Sequence, residues 1–189
     1  MGVSRRAVLR VGGGAFASAI ISKVSPAFAA PAIIGIKELN ARTLSFNGYN
    51  TGERLDRVTY WEDGKYIPDA LASINKAMRD WRTGEIHPIE PKLLDLVHQL
   101  GRMLDTACQF ELVSGYRSPK TNAFLHSFDS EVAVNSLHMQ GQATDISLPG
   151  RPLAKLHEAA LALKVGGVGY YPTSNFIHVD VGRVRRWVG

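Results

Sequence analysis

The segment "GGVGYYPTSNFIHVDVG", residues 166–182, constrains the fold of this chain more than any other. Pro172, Thr173, Ser174 and Asn175 form turns readily, and they separate two short runs of strand-forming residues, so two strands joined by a turn are expected. Side chains alternate along a strand. Phe176, His178 and Asp180 then share one face, while Ile177, Val179 and Val181 enter the core.

The remaining chain reads as a mixture of strands and helices. Residues 41–67 alternate apolar and polar side chains around Asn50-Thr51-Gly52 and Asp63-Gly64, the pattern of a β-hairpin or meander. From Asp69, which suits an N-cap, to Trp81, the residues Leu71, Ile74, Ala77, Met78 and Trp81 recur at helical spacing, and Gly84 ends the pattern. Pro91 opens a second helix that buries Leu93, Leu94, Val97, Leu100 and Leu104. "FELVSGYRS" from Phe110 is a strand running into a loop. A third helix spans Pro152 to Lys164, with Leu153, Leu156, Ala160 and Leu163 inward. No repeat, low-complexity tract or linker interrupts this order, so the expected fold is a single α+β domain with a mostly antiparallel central sheet and flanking helices.

Residues 1–29 read as an export signal. They carry Arg5 and Arg6, a weakly apolar run from Val11 to Ser22 broken by Gly12, Gly13 and Gly14, and a small-x-small site at Ala27-Phe28-Ala29. The string from Ser4 to Arg10 resembles the twin-arginine signal, with Val8 where an aromatic residue is usual. Cleavage after Ala29 and delivery to the periplasm are expected, leaving a domain of residues 30–189 with no stable membrane anchor. A membrane-spanning helix needs about 20 apolar residues, and this run is shorter.

Removing that segment changes the charge argument. It holds four basic residues and no acids, so 18 basic residues face 17 acidic ones in the remainder. Nucleic-acid binding, which calls for a basic face, loses its support. The terminal "GRVRRW" from Gly182 is the one basic cluster left, and it reads as a solvated tail. The lone Cys108 has no internal partner for a disulfide and reads as a buried structural thiol.

The chemistry lies in "NSLHMQGQATDISLPG", residues 135–150. His138 and Asp145 flank Gly141, which lets the chain fold back so that an imidazole and a carboxylate converge. Catalytic zinc is commonly held by three protein groups with a fourth position open, and His178 is the best third candidate. Together with "SGYRS" from Ser114 and "GGVGYYPTSNFIHVDVG", this string resembles the zinc D-Ala-D-Ala carboxypeptidase superfamily, and within it the exported murein endopeptidase K family. The most specific match is Ser136, His138, Gly141, Ala143 and Asp145.

The resemblance implies a hedgehog/D-Ala-D-Ala carboxypeptidase-like fold, Zn2+ bound by His138, Asp145 and His178, and peptide cross-links of peptidoglycan as substrate. It further implies hydrolysis by a metal-activated water. Arg117 matches the family's arginine beside the metal and is assigned to the substrate carbonyl or the developing oxyanion. Ser114, Tyr116 and Ser136 are expected to support the loops or the substrate. Many relatives carry an acid three residues before the last histidine, where this chain has Asn175. Asp180 is then either the general base or the residue that orients His178. Competing readings are a D-Ala-D-Ala carboxypeptidase and a non-catalytic module that binds zinc or cell wall. The expected partners are peptidoglycan stem peptides and the twin-arginine export machinery.

Overall fold

A computed structural model describes residues 40–107, 109–129 and 132–189. The expected signal at 1–29 and the reading of Cys108 fall outside them. The described elements are β1 (Ala41–Gly48), β2 (Arg54–Glu62), β3 (Lys65–Tyr66), α1 (Pro68–Ala77), α2 (Pro91–Met103), β4 (Gln109–Ser114), α3 (Pro119–Phe128), a 3-10 turn (Leu137–Gln140), β5 (Ala143–Ser147), α4 (Leu153–Leu163), β6 (Gly167–Tyr171), β7 (Phe176–Asp180) and β8 (Arg185–Val188). All eight described strands join one sheet in the order β3-β2-β1-β4-β5-β7-β6-β8. Only the β1–β4 and β6–β8 pairs are parallel, so the α+β, mostly antiparallel expectation matches.

Helices α1, α2 and α4 cover one face of this sheet, with α1 against β2, α2 against β1 and α4 against β6 and β7. Leu44, Phe46, Phe110, Ile146, Ile177 and Val179 come from the strands to meet Ile74, Leu93, Leu94, Val97, Leu100 and Leu156 from the helices. Removing this apolar surface from water, worth about 25 cal/mol per Å2, is the main force holding the two layers together. Where β7 gives Ile177 and Val179 to the core, it gives His178 and Asp180 to the opposite face, as alternation requires.

Both ends of α1 differ from the sequence reading, and one helix was not expected. Helix α1 starts at Pro68 with Ile67 as N-cap and no side-chain cap, because proline's fixed φ suits the first helical position and displaces Asp69 inward. It stops at Ala77, so Trp81, expected inward, is 39% exposed. The segment after Arg117 holds a helix that the hydrophobic pattern conceals, α3, started by Ser118 accepting from the Thr121 amide with Pro119 at the first position.

Candidate metal centre

Register across the sheet assembles most of the site. Ser114 lies opposite Asp145, Asp145 opposite His178, His178 opposite Gly169, and Gly169 opposite Trp187, so one lateral row crosses β4, β5, β7, β6 and β8. Asp145 and His178 are therefore direct cross-strand neighbours on one face. A bulge between Leu112 and Ser114 sets the end of β4 in this row.

His138 arrives from outside the sheet. Ser136 caps the 3-10 turn by accepting from the His138 amide at 3.3 Å, and Gly141 closes it in the left-handed conformation at φ 66. A Cβ at Gly141 would also collide with the Pro88 carbonyl. Only glycine satisfies both demands, and the tight reversal turns the His138 ring toward β5. Nδ1–H of His138 donates to the Gly115 carbonyl at 2.7 Å, which leaves Nε2 facing inward.

Three atoms then converge. His138 Nε2 lies 3.1 Å from His178 Nδ1 and 3.2 Å from Asp145 Oδ1, and His178 Nδ1 lies 2.9 Å from the same oxygen. All three residues are buried. In the neutral rings each inward nitrogen is an acceptor: Nδ1–H of His138 is committed to Gly115, and Nε2–H of His178 donates to Asp180 Oδ2 at 3.0 Å. Asp145 Oδ1 is an acceptor as well. Three buried acceptors facing one another offer their ligand atoms to a cation. Donors held at about 2.0–2.1 Å by one tetrahedral ion stand roughly 3.3 Å apart, close to these separations, so the set fits a metal such as zinc.

The electrostatics of Asp145 and His138 suit such an ion. Burial opposes ionisation of Asp145, but the imidazoles of His138 and His178 outweigh it and hold the carboxyl well below the usual range. Burial, opposed by Asp145, pushes His138 down and keeps it neutral, as a ligand must be. For His178, burial opposes the charged form, but the carboxylates of Asp145 and Asp180 outweigh it and raise its pKa in the metal-free cluster, so a cation would have to displace a proton there.

Asp180 has no solvent exposure, and its oxygens accept from the amides of Gly167 and Gly182 at 2.8 and 2.9 Å, from both terminal nitrogens of Arg185 at 3.2 and 2.7 Å, and from His178. It lies behind the His178 ring, on the side away from the converging atoms. Arg117 is differently placed. It lines the cleft with Nη2 3.6 Å from Asp145 Oδ2 and Nη1 3.5 Å from Asn122 Oδ1, and its buried Nε has no protein partner. A guanidinium so weakly engaged keeps donors for a ligand.

The cleft has a volume of about 480 Å3, bordered by Arg117 and Ser136 on one side and by Tyr171, Phe176 and Trp187 on the other. Tyr171 and Phe176 stack at 4.6 Å. Ser114, Tyr116, Asn122 and Asn175 do not line the cleft itself. Ser114 offers its carbonyl to Thr144 Oγ1, and Tyr116 is buried in a stack with His87 at 4.7 Å. Asn122 anchors the following loop through the carbonyls of Ala133 and Val134. Asn175 occupies the left-handed position of the β6–β7 turn at φ 55, a conformation that asparagine tolerates well.

Sequence reasoning missed three residues. The "GRVRRW" tail is not a solvated tail: Arg185 and Trp187 are half-buried on β8 and line the cleft, while Arg183, Val184 and Arg186 stay exposed. Alternation within the strand separates them. Asp80 is buried, with Oδ1 accepting from the Arg82 and Thr83 amides and Oδ2 from the Ser118 amide at 2.8 Å, which ties the residue after Arg117 to the loop after α1. Its signal was the Asp-x-x-Thr-Gly turn at residues 80–84.

Comparison with known proteins accords with this geometry. Residues 37–187 match the model of a family described as peptidoglycan L,D-endopeptidase MepK. The chain is 39% identical to the Escherichia coli peptidoglycan L,D-endopeptidase MepK over 184 residues, covering 97% of each chain. It is 42% identical over 149 residues to the probable peptidoglycan L,D-endopeptidase MepK of Haemophilus influenzae, covering 78% of this chain and 80% of that one. A match of this extent, over the residues that build the cleft, makes the chain a member of the MepK peptidoglycan L,D-endopeptidase family, within the zinc D-Ala-D-Ala carboxypeptidase superfamily.

Proposed function

We propose that this chain is a zinc-dependent murein endopeptidase that hydrolyses peptide cross-links between peptidoglycan stem peptides, among them meso-diaminopimelate to meso-diaminopimelate. The observation that carries the reading is the convergence of three buried acceptor atoms, from His138, Asp145 and His178, in an open cleft. These residues would hold Zn2+, which supplies a Lewis acid that polarises a scissile carbonyl and acidifies water.

The chain's own residues do the rest. Arg117 donates to the substrate carbonyl and to the negative charge that develops on it. Asp180 orients His178. Its carboxylate is saturated by four protein partners behind the ring, which suits a fixed acceptor better than a proton carrier. Ser136 holds the turn that aims His138. The wall of Tyr171, Phe176 and Trp187 packs against the apolar parts of the stem peptide. Residues 1–29 act as a twin-arginine-type signal that delivers the domain of residues 30–189 to the periplasm, where the substrate is found.

Mass spectrometry of purified sacculi digested with the protein tests the reading. Loss of cross-linked dimers, abolished by a chelator and restored by zinc, is expected. Trimming of terminal D-Ala from monomers with dimers intact would establish a carboxypeptidase instead, and zinc binding without any change in muropeptides a non-catalytic module. Asp180→Asn separates the two roles of that residue: metal affinity and turnover falling together mark the orienting role, whereas full zinc content without turnover marks a base.

A further inference from the structure

We propose that the C-terminal strand β8 is part of the metal centre, with Arg185 and Trp187 as positioning residues for the His178 ring, the first through Asp180 and the second by direct contact. The inference rests on the reading of His138, Asp145 and His178 as metal ligands.

Strand β8 does not touch β7 in the sheet, because β6 lies between them. Two glycines of β6 bridge that gap. Gly167 is the register partner of Arg185, and Gly169 is the partner of both Trp187 and His178. A Cβ on Gly167 would collide with the Arg185 guanidinium and lie 2.6 Å from Asp180 Oδ2, and one on Gly169 would lie 2.7 Å from the Trp187 indole. Each missing side chain is therefore a lane through which a residue of β8 crosses over β6 to reach β7.

What the lanes deliver is specific. Arg185 grips Asp180 as a fork, Nη2 to Oδ2 at 2.7 Å and Nη1 to Oδ1 at 3.2 Å, and the same Oδ2 accepts from His178 Nε2. The Trp187 ring lies 5.2 Å from the His178 ring, centroid to centroid, and its Nε1–H donates to the Tyr171 hydroxyl at 2.8 Å, so the indole cannot turn freely. The Arg185 guanidinium stands 5.0 Å from the Trp187 ring, and the two brace one another. Arg186 and Val188, which alternate with them, are exposed. The fork fixes the acceptor for Nε2–H, and through it the tautomer that leaves Nδ1 free to bind an ion.

Competition for zinc between the purified protein and a chromophoric chelator tests the proposal, with Arg185→Met, Arg185→Lys and, as control on the outer face of the same strand, Arg186→Met. Arg185→Met should lower zinc affinity about 10–100-fold. Arg185→Lys, which keeps the charge but loses the fork, should fall in between, and Arg186→Met should stay within about twofold of the parent. Imidazole nitrogen NMR of the metal-free protein, at a pH where the ring is neutral, supplies a second readout. The parent should carry the His178 proton on Nε2, and Arg185→Met should show a mixture of tautomers. Parental affinity together with an unchanged tautomer in Arg185→Met would overturn the proposal. If that variant fails to fold, parental affinity in Arg185→Lys does the same. A parent protein that takes up no zinc would instead overturn the metal reading, and the tautomer comparison alone would then decide the role of Arg185.

Discussion

Asp95 and Asp145 are carboxylates in two polar clusters along one sheet, and their neighbours give them opposite meanings. Asp95, on α2, accepts from Arg42 at 2.7 Å, from the Tyr60 hydroxyl at 3.0 Å and from the Tyr66 hydroxyl at 2.8 Å. Burial, and then Asp95 itself, push the Tyr60 phenol far up, so it remains a donor. Every partner in this cluster brings a proton, and the cluster closes on itself. Asp145 faces two imidazole nitrogens whose protons are committed elsewhere. The first arrangement ties β1, β2 and β3 to a helix, while the second offers three ligand atoms to a cation. A buried carboxylate is thus classified by what its neighbours can donate, more than by its burial or its number of contacts.

The largest effect that tests this contrast is its direct exchange. Asp145→Asn should reduce cross-link hydrolysis by at least about a thousandfold, roughly 4 kcal/mol of barrier, and should lower zinc stoichiometry below one. Asp95→Asn should leave turnover nearly unchanged and cost about 1–3 kcal/mol of stability by urea unfolding. Equal losses of activity in both variants would show that the clusters are not distinct in kind. The two arginines extend the comparison. Arg117→Met should lower kcat by about 10^2–10^3-fold with zinc content retained, whereas Arg42→Met should act on stability alone.

Glycines near the two clusters give a smaller effect. Gly64 in the β2–β3 turn has φ 84 with open space around its α-carbon, while Gly141 has φ 66 and lies against the Pro88 carbonyl. Gly64→Ala should cost only the left-handed conformation, about 1–2 kcal/mol. Gly141→Ala should cost more in thermal unfolding, because the turn must also move, and it should weaken zinc binding as His138 shifts. Full zinc affinity in Gly141→Ala would show that this turn does not aim His138.

How much of this was legible beforehand follows from which interactions are local. Alternation in "NFIHVDV" is local, so His178 and Asp180 could be separated from Ile177 and Val179 by inspection. Gly141 between His138 and Asp145 is local too, and so is the turn at Asn175. Register is not local: that Asp145 lies opposite His178 depends on pairing between strands about thirty residues apart. Strand β8 was concealed for the same reason, since the inward role of Arg185 and Trp187 depends on glycines on β6, and three arginines in six residues resemble an exposed end. Helix α3 escaped because its buried residues are Thr121 and Asn122, which leave no apolar stripe.

Asp80 offers the finest test, because it combines the donor-saturated character of Asp95 with proximity to the cleft. Burial disfavours its ionised form, but hydrogen bonds from Thr121, Ser118 and the Arg82 amide outweigh that and bring its pKa to about 2. A carboxyl depressed in the folded state contributes stability that is fully present above its unfolded value near 4, and the contribution is lost as pH falls through about 2. The protein should therefore lose about 1–2 kcal/mol from this group between those pH values, with zinc binding at neutral pH unaffected. Asp80→Asn should be less stable at neutral pH and show a flatter dependence across the same acid window. Chemical unfolding of both proteins at a series of pH values checks this. Parallel curves would mean that Asp80 ionises alike in the folded and unfolded chains, and that its hydrogen bonds to Ser118 and Arg82 do not hold the loop beside Arg117.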